Sequence, residues 1–326
     1  MASLAGTGYP PTPVIGEDQS FSAPQTATHP DHGDNDDSIS ASEFNRRLRR
    51  MYRERMLAKG IRVPDSPPPP PKGSIHPLAQ SLLDAGGTVI YEKLTCCLIK
   101  HVCGTRVTKF RSLGFRRAEA EAMRFVSAHT SIPIPRVYDV GERHLTMEFI
   151  EGETLATAWD KLSAEDRLLV TRQLRDYVGQ LRTFKSPDGL ICSFDGGPAV
   201  DARRLCHVEG GPFATEAAYN DFLVSDLLGK HASIRDMIRS QMRTDHEIVL
   251  SHGDLHDINI MVRPGAGVVA IVDWELAGYY PEYVDLVRLF RSSWLCGYYD
   301  ELLNIFPRRY DAEFVVDQTI THWSAR

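Results

Sequence analysis

Cysteine is scarce in this chain: six among 326 residues (Cys96, Cys97, Cys103, Cys192, Cys206, Cys296), with no Cys-x-x-Cys pair. That pattern excludes a disulfide framework or a thiolate zinc cage, and the thiols read as reduced. No apolar run approaches the roughly 18 residues needed to span a bilayer. The opening residues MASLAGTGYPPTPV lack a charged segment followed by an apolar one, so no secretory signal is expected. Positive charge is not in excess either: 37 Lys and Arg stand against 43 Asp and Glu, a formal net charge of −6 at pH 7. This balance excludes a nucleic-acid binder held by a basic field. Internal repeats are absent. What remains is a soluble, cytoplasmic protein whose 42% hydrophobic residues can bury a sizeable core.

Composition shifts near residue 75. Pro10, Pro11, Pro13, the polar stretch Asp31–Ser42 and the run Pro67–Pro71 bury too little apolar surface to offset ordering entropy. Residues 1–76 are therefore expected to be a disordered tail, with Pro67–Pro71 as a stiff polyproline II spacer. Within it, about residues 43–59, Phe44, Leu48, Met51 and Tyr52 recur at helical spacing among Arg46, Arg47, Arg49, Arg50, Arg53 and Arg55. Such a segment reads either as a partner-binding or membrane-surface helix or as a basic helix resting on the folded body.

After the tail come short β-branched or apolar runs at Val89–Lys93, Cys97–Val102, Arg106–Phe110 and Leu145–Ile150, with Gly104 marking a turn. A helix over about Ala118–His129 interrupts them and is stopped by Ile132-Pro133-Ile134-Pro135. Beyond Gly152 the pattern turns helical. Ser163-Ala164-Glu165-Asp166 resembles a capping box, and helices are expected near Thr215–Leu228, Ile234–Met242 and Pro281–Leu295.

The chemistry concentrates in Val249-Leu-Ser-His252-Gly253-Asp254-Leu-His256-Asp257-Ile-Asn259-Ile-Met-Val262 and Val268-Val-Ala-Ile-Val272-Asp273-Trp274-Glu275. A strand ends in a polar loop, the chain re-enters at Ile258–Val262, reverses through Pro264–Gly267 and returns at Val268–Val272. That hairpin places Asn259 at the start of one strand and Asp273 at the end of its partner. Cross-strand neighbours lie ~5 Å apart, so an amide oxygen and a carboxylate can converge on one hard cation. Asp254, on the loop before them, can accept or orient a hydroxyl proton. A competing reading makes His252, Asp254, His256 and Asp257 a transition-metal cluster, which leaves Asn259 and Asp273 without a role.

His252-Gly-Asp254-Leu-His256-x-x-Asn259 followed by Asp273-Trp-Glu resembles the aminoglycoside phosphotransferase and choline-kinase-like family, small-molecule relatives of the protein kinases. The resemblance covers about Leu78 to Arg326. It implies an α+β, protein-kinase-like two-lobed fold: a small antiparallel-sheet lobe (77–151) gripping the nucleotide and a larger, mainly helical lobe (152–326). It implies ATP and Mg²⁺ as cofactors, a small-molecule hydroxyl as acceptor, Asp254 as catalytic base, and Asn259 and Asp273 as metal ligands. Lys109 is the phosphate-gripping lysine by the same resemblance. Glu119 and Glu121 cannot both face it, and Glu121 is chosen because it shares a face with Phe125. Met147–Gly152 resembles the link between lobes, with Glu148 and Ile150 offering backbone groups to adenine. His252 and Asp285 are expected to brace the catalytic loop.

Two departures from the kinase pattern stand out. Lys93-Leu-Thr-Cys-Cys97 occupies the place of a glycine-rich phosphate loop, and Trp274-Glu275 replaces Phe-Gly. Asp195, Asp201, Glu209, Glu216 and Asp221 could favour a cationic acceptor or be solvated surface. The alternative from another class is a catalytically inactive kinase-like binding module, against which stands the joint presence of a base, two metal ligands and an ion pair.

Overall fold

The computed structural model describes residues 76–93, 96–111, 117–201, 208–225, 227, 232–292, 301 and 303–324. The proline run and the arginine-rich stretch lie outside the described residues, as does everything expected of residues 1–75. Among the described residues, no helix is long and apolar enough to cross a membrane.

His76 opens helix α1 (Pro77–Asp84): its ring accepts from the Leu78 amide at 3.2 Å, and Pro77 pre-sets the first turn. β1 (Thr88–Lys93), β2 (Cys96–Lys100) and β3 (Arg106–Arg111) follow as an antiparallel meander, with Gly104 at φ +75° between the last two. Side chains alternate along β3. Phe110 packs with Ala79 of α1 and Ile99, whereas Val107 joins the main core with Ala120, Met123 and Val126 of α2 (Arg117–His129). Lys109 shares the Val107 face, and that places it towards α2.

β4 (Val137–Val140) and β5 (His144–Glu148) complete a five-stranded antiparallel sheet in the order β1-β2-β3-β5-β4. β4 is an element the sequence pattern did not reveal, because its Tyr138 and Asp139 are exposed and blur the alternation.

β6 (Glu153–Thr154) and α3 (Leu155–Ala158) lead into α4 (Ala164–Thr183). Ser163 caps α4, accepting from the Asp166 amide at 3.1 Å, and Val170, Leu174, Tyr177, Val178 and Leu181 form its buried stripe. β7 (Cys192–Ser193), β8 (Ala199–Asp201), β9 (Val208–Gly210), α5 (Glu216–Val224) and α6 (Ala232–Ser240) follow. β10 (Ile248–Ser251), β11 (Ile260–Arg263), β12 (Gly267–Ile271) and β13 (Gly278–Pro281) then precede α7 (Val284–Ser292) and α8 (Asp311–Ser324). These strands form small antiparallel sheets, β10-β13-β7, β12-β11-β6 and β8-β9. Pro281 was expected in the first turn of a helix, but it ends β13. It pairs with Ile248 beyond the reach of β7, which meets only Gly278 and Tyr279, so its missing N–H breaks no ladder bond on that side. The observed mixture of helices and antiparallel sheets is the fold class that the sequence implied.

Candidate active site

β10 delivers the chain into His252-Gly253-Asp254, and α7 holds that loop from behind. The backbone amides of His252 and Gly253 donate to the two carboxylate oxygens of Asp285, at 3.2 and 2.8 Å. His252 is fully buried. Its Nε2 donates to the Val272 carbonyl at 3.1 Å and its Nδ1 accepts from the Asp254 amide at 3.2 Å, so the ring is neutral with its proton on Nε2. Burial pushes its pKa down in spite of Asp285 and Asp254 nearby. With both nitrogens engaged, His252 cannot ligate a metal, and the His-x-Asp-x-His cluster reading falls. Gly253 has φ +80°, and a Cβ there would sit 2.0 Å from the Leu276 carbonyl oxygen. Only glycine fits this turn.

Asp254 is partly exposed, and Asn259 reaches back to it. The Asn259 amide nitrogen donates to the Asp254 backbone oxygen at 2.9 Å and to its carboxylate at 3.0 Å. The opposite, oxygen end of that amide is therefore turned away from Asp254. The β11–β12 hairpin ties Asn259 to the second acidic position, since the Val272 amide donates to the Asn259 carbonyl at 2.9 Å. Asp273 comes next, in the left-handed region at φ 66° and ψ 59°. It is the one non-glycine residue with positive φ among the described residues. Such a backbone costs about 1–3 kcal/mol and persists where the surroundings impose it.

The Asp273 carboxylate meets Lys109 Nζ at 2.5 Å, joining parts of the chain 164 residues apart. The same ammonium lies 2.9 and 3.1 Å from the two oxygens of Glu119 and 3.2 Å from Glu275. Arg111, two residues along the same face of β3, grips Glu275 with both terminal nitrogens. Three carboxylates thus surround two cations. Burial alone would depress Lys109, but Asp273, Glu119 and Glu275 together hold its pKa well above the ordinary lysine value. For Asp273, burial is outweighed by Lys109 and Arg111, and its pKa is lowered. For Glu119, burial wins over Lys109, and its pKa rises to about 7.

Glu121 is corrected here. It is exposed, and Lys109 pairs with Glu119, which is 1% accessible. The buried face of α2 runs through Ala118, Glu119, Ala122, Met123 and Val126. Phe125, used to choose Glu121, packs instead against Phe184 and Phe194. Arg111 was not singled out in the sequence, and Glu275 was noted only as a departure from Phe-Gly, with no part in the ion cluster. Their signal was an i+2 relation to Lys109 and Asp273, which a strand and a tight turn convert into proximity. The five carboxylates considered for a cationic acceptor also thin out. Glu216 is buried against His246, Asp221 pairs with Arg239 at 2.6 Å, and Asp195 accepts from Ser193 and the Gly197 amide.

At the link between lobes, the Glu148 amide donates to the Arg136 carbonyl at 2.8 Å and its carboxylate accepts from the Arg136 amide at 3.2 Å. The Phe149 amide donates to the Thr105 carbonyl at 2.9 Å. Among the described residues the Ile150 amide has no backbone partner, so one donor at the strand end is available.

A hard cation suits the donors present. Asp273 supplies a carboxylate that is 36% exposed, Asn259 is tied through its backbone to Val272, the residue before Asp273, and Glu275 bonds the same lysine as Asp273. The carboxylates of Glu119, Asp273 and Glu275 present oxygens within 4.8 Å of one another. An all-oxygen set of this kind fits Mg²⁺ better than a soft transition metal.

An antiparallel sheet with a Lys–Glu pair, followed by a largely helical body bearing the Asp254–Asn259 loop and Asp273, is a kinase-like phosphotransferase architecture. The model of the phosphotransferase enzyme family matches residues 104–318, well over half of the chain, and the protein belongs to that family. No curated protein matches it in sequence. Among solved structures, the gentamicin complex of APH(2″)-IIa superposes with a TM-score of 0.52 at 14% identity, covering 76% of this chain and 86% of that one. A thermostable mutant of aminoglycoside phosphotransferase APH(4)-Ia, in its apo form, gives 0.52 at 15% identity over 73% and 84%. ADP-bound APH(2″)-Ib gives 0.50 at 14% over 72% and 80%. At such identities these structures speak to the fold.

Proposed function

We propose that this phosphotransferase is an ATP- and Mg²⁺-dependent small-molecule kinase, moving the γ-phosphoryl group of ATP to a hydroxyl of its acceptor. The observation that carries the reading is the meeting of Lys109, Glu119 and Asp273 from three separate elements, with Asn259 bonded to Asp254 at the adjoining hairpin. Lys109 would hold the phosphates once they displace its contact to Asp273, with Glu119 keeping the ammonium in place. Asp273 and the Asn259 oxygen would hold Mg²⁺, which when bound neutralises charge on the triphosphate. The Ile150 amide and the Glu148 carbonyl would receive adenine at the strand end. Asp254, fixed by Asn259 and by its own amide's bond to His252, would orient the acceptor hydroxyl and accept its proton as the oxygen attacks phosphorus.

The fold's solved relatives include a gentamicin complex, which supports a small polar acceptor for this chain too. The test is a pair of substitutions in an ATP-consumption assay run over alcohols, amino-alcohols and aminoglycosides. Asp254→Ala should lower turnover about 10²–10⁴-fold and keep nucleotide binding. Asp273→Ala should lose Mg²⁺-dependent nucleotide affinity. Full turnover in Asp254→Ala would remove the assigned base. A wild-type chain with no thermal stabilisation by millimolar Mg·ATP would turn the reading to an inactive binding module.

A further inference from the structure

Asp285 is half of a clamp whose other half lies one helical turn along α7. Arg288 is buried, 5% accessible, and its guanidinium spans two backbone carbonyls. Nη1 donates to the Gly253 carbonyl and Nη2 to the Val200 carbonyl in β8, the latter at 2.8 Å. The group lies over the Tyr280 ring at 4.9 Å, and the Tyr280 hydroxyl accepts from the Val200 amide at 3.1 Å. Both polar groups of the Val200 backbone are therefore tied to Arg288 or its stacking partner.

The Gly253 carbonyl belongs to the peptide plane that leads into Asp254. That plane is held at both ends: its oxygen by Arg288, its N–H by His252 Nδ1 at 3.2 Å. The preceding peptide is fixed by the Gly253 amide on Asp285 at 2.8 Å. Two consecutive peptides on the approach to Asp254 are thus locked by one face of α7, and the direction of the Asp254 Cα–Cβ bond follows from them. The bonds to Asp285 and Arg288 are buried and involve a charged partner, the stronger kind.

We propose that Arg288 is a positioning residue for Asp254, setting its orientation through the Gly253 carbonyl and coupling it to the β8–β9 ribbon through Val200. The inference rests on Asp254 being the base of the proposed kinase. It makes α7 more than a brace: a shift of the ribbon would be transmitted to the catalytic loop by a rigid planar cation. Lysine cannot reproduce this, because one ammonium lacks the fork that bonds two carbonyls and stacks on a ring.

The test uses the full chain as Arg288→Ala and Arg288→Lys, with three readouts: Mg·ATP affinity, turnover of Mg·ATP, and amide exchange. Arg288→Ala should keep nucleotide affinity while turnover falls about 100-fold, as misplacement of a reacting group by ~1 Å does. Exchange should quicken in peptides covering 252–256 and stay unchanged in β3, and millimolar guanidinium should restore turnover. A merely structural role would lower the melting temperature without this split and without rescue. If Arg288→Ala does not fold, Arg288→Lys decides by the same turnover and exchange criteria. Wild-type turnover together with wild-type exchange at 252–256, in either folded variant, overturns the proposal. Should the wild-type chain itself not consume ATP, the kinase reading fails, and the exchange result alone still accepts or rejects the positioning role.

Discussion

Two of the buried charge clusters among the described residues are built on opposite plans. Around Lys109, three carboxylates crowd two cations, and one carboxylate, Asp273, keeps 36% of its side chain open to solvent. Around His246, the imidazole is 1% accessible and sits between Glu216 at 2.6 Å and Glu313 at 3.1 Å, with Arg243 behind Glu313 at 3.8 Å. Both ring nitrogens face carboxylates, and that favours the doubly protonated ring. The second cluster is closed, and its partners come from α5, the chain before β10 and α8, so it fastens the last described helix to the body. The first is overcharged and open on one side, so it has an oxygen to offer an incoming cation. Desolvated charge costs stability in both places. The difference lies in whether the protein satisfies that charge itself or leaves room for a ligand to do so.

The largest effect should come from removing the cation shared by the open cluster. Lys109→Met would leave Glu119, Asp273 and Glu275 with Arg111 alone, and urea unfolding should show a loss of about 3–5 kcal/mol, the usual cost of orphaning a buried pair. If stability were unchanged, the open cluster would not be an ion-paired assembly, and the contrast would collapse. A smaller effect belongs to the closed cluster and depends on pH. Burial lowers the pKa of His246, but its hydrogen bond and charge interaction with Glu216, reinforced by Glu313, raise it above the ordinary histidine value of about 6.5. A raised histidine contributes stability that is fully present below the unfolded pKa and is lost as pH rises through the folded one. The melting temperature should therefore fall as pH climbs past about 6.5, and His246→Gln should flatten that slope. An equally steep slope in the variant would assign the pH dependence elsewhere. The smallest effect is expected at Glu121. Glu121→Gln should change stability by less than about 0.5 kcal/mol and leave nucleotide affinity intact, because its carboxylate is exposed.

The Asp254 loop was legible because its polar residues are local. Asp254, Asn259 and Asp273 sit within one loop and one hairpin, and spacing along a hairpin converts directly into proximity. The N-terminal sheet was legible at β1, β2, β3 and β5, where β-branched runs are bounded by turn residues, and lost at β4, where the exposed Tyr138 and Asp139 break the pattern. The choice between Glu119 and Glu121 failed for a different reason. Helical periodicity says that the two point apart, but not which way α2 is rolled on the sheet, and Phe125 turned out to pack against Phe184 and Phe194.

The amino-acid order by itself determined the loop and hairpin with their polar residues and the strand that carries Lys109, because each is set by neighbours a few positions apart, and the motif those residues form carried the resemblance that implied the kinase-like class. The tertiary structure alone decided that Glu119 faces Lys109, that Arg111 and Glu275 enter the same cluster, and that Arg288 grips the peptide before Asp254. Those contacts depend on how finished elements rotate and dock. That docking is governed by side-chain packing summed over the whole core, and no short window of sequence contains it.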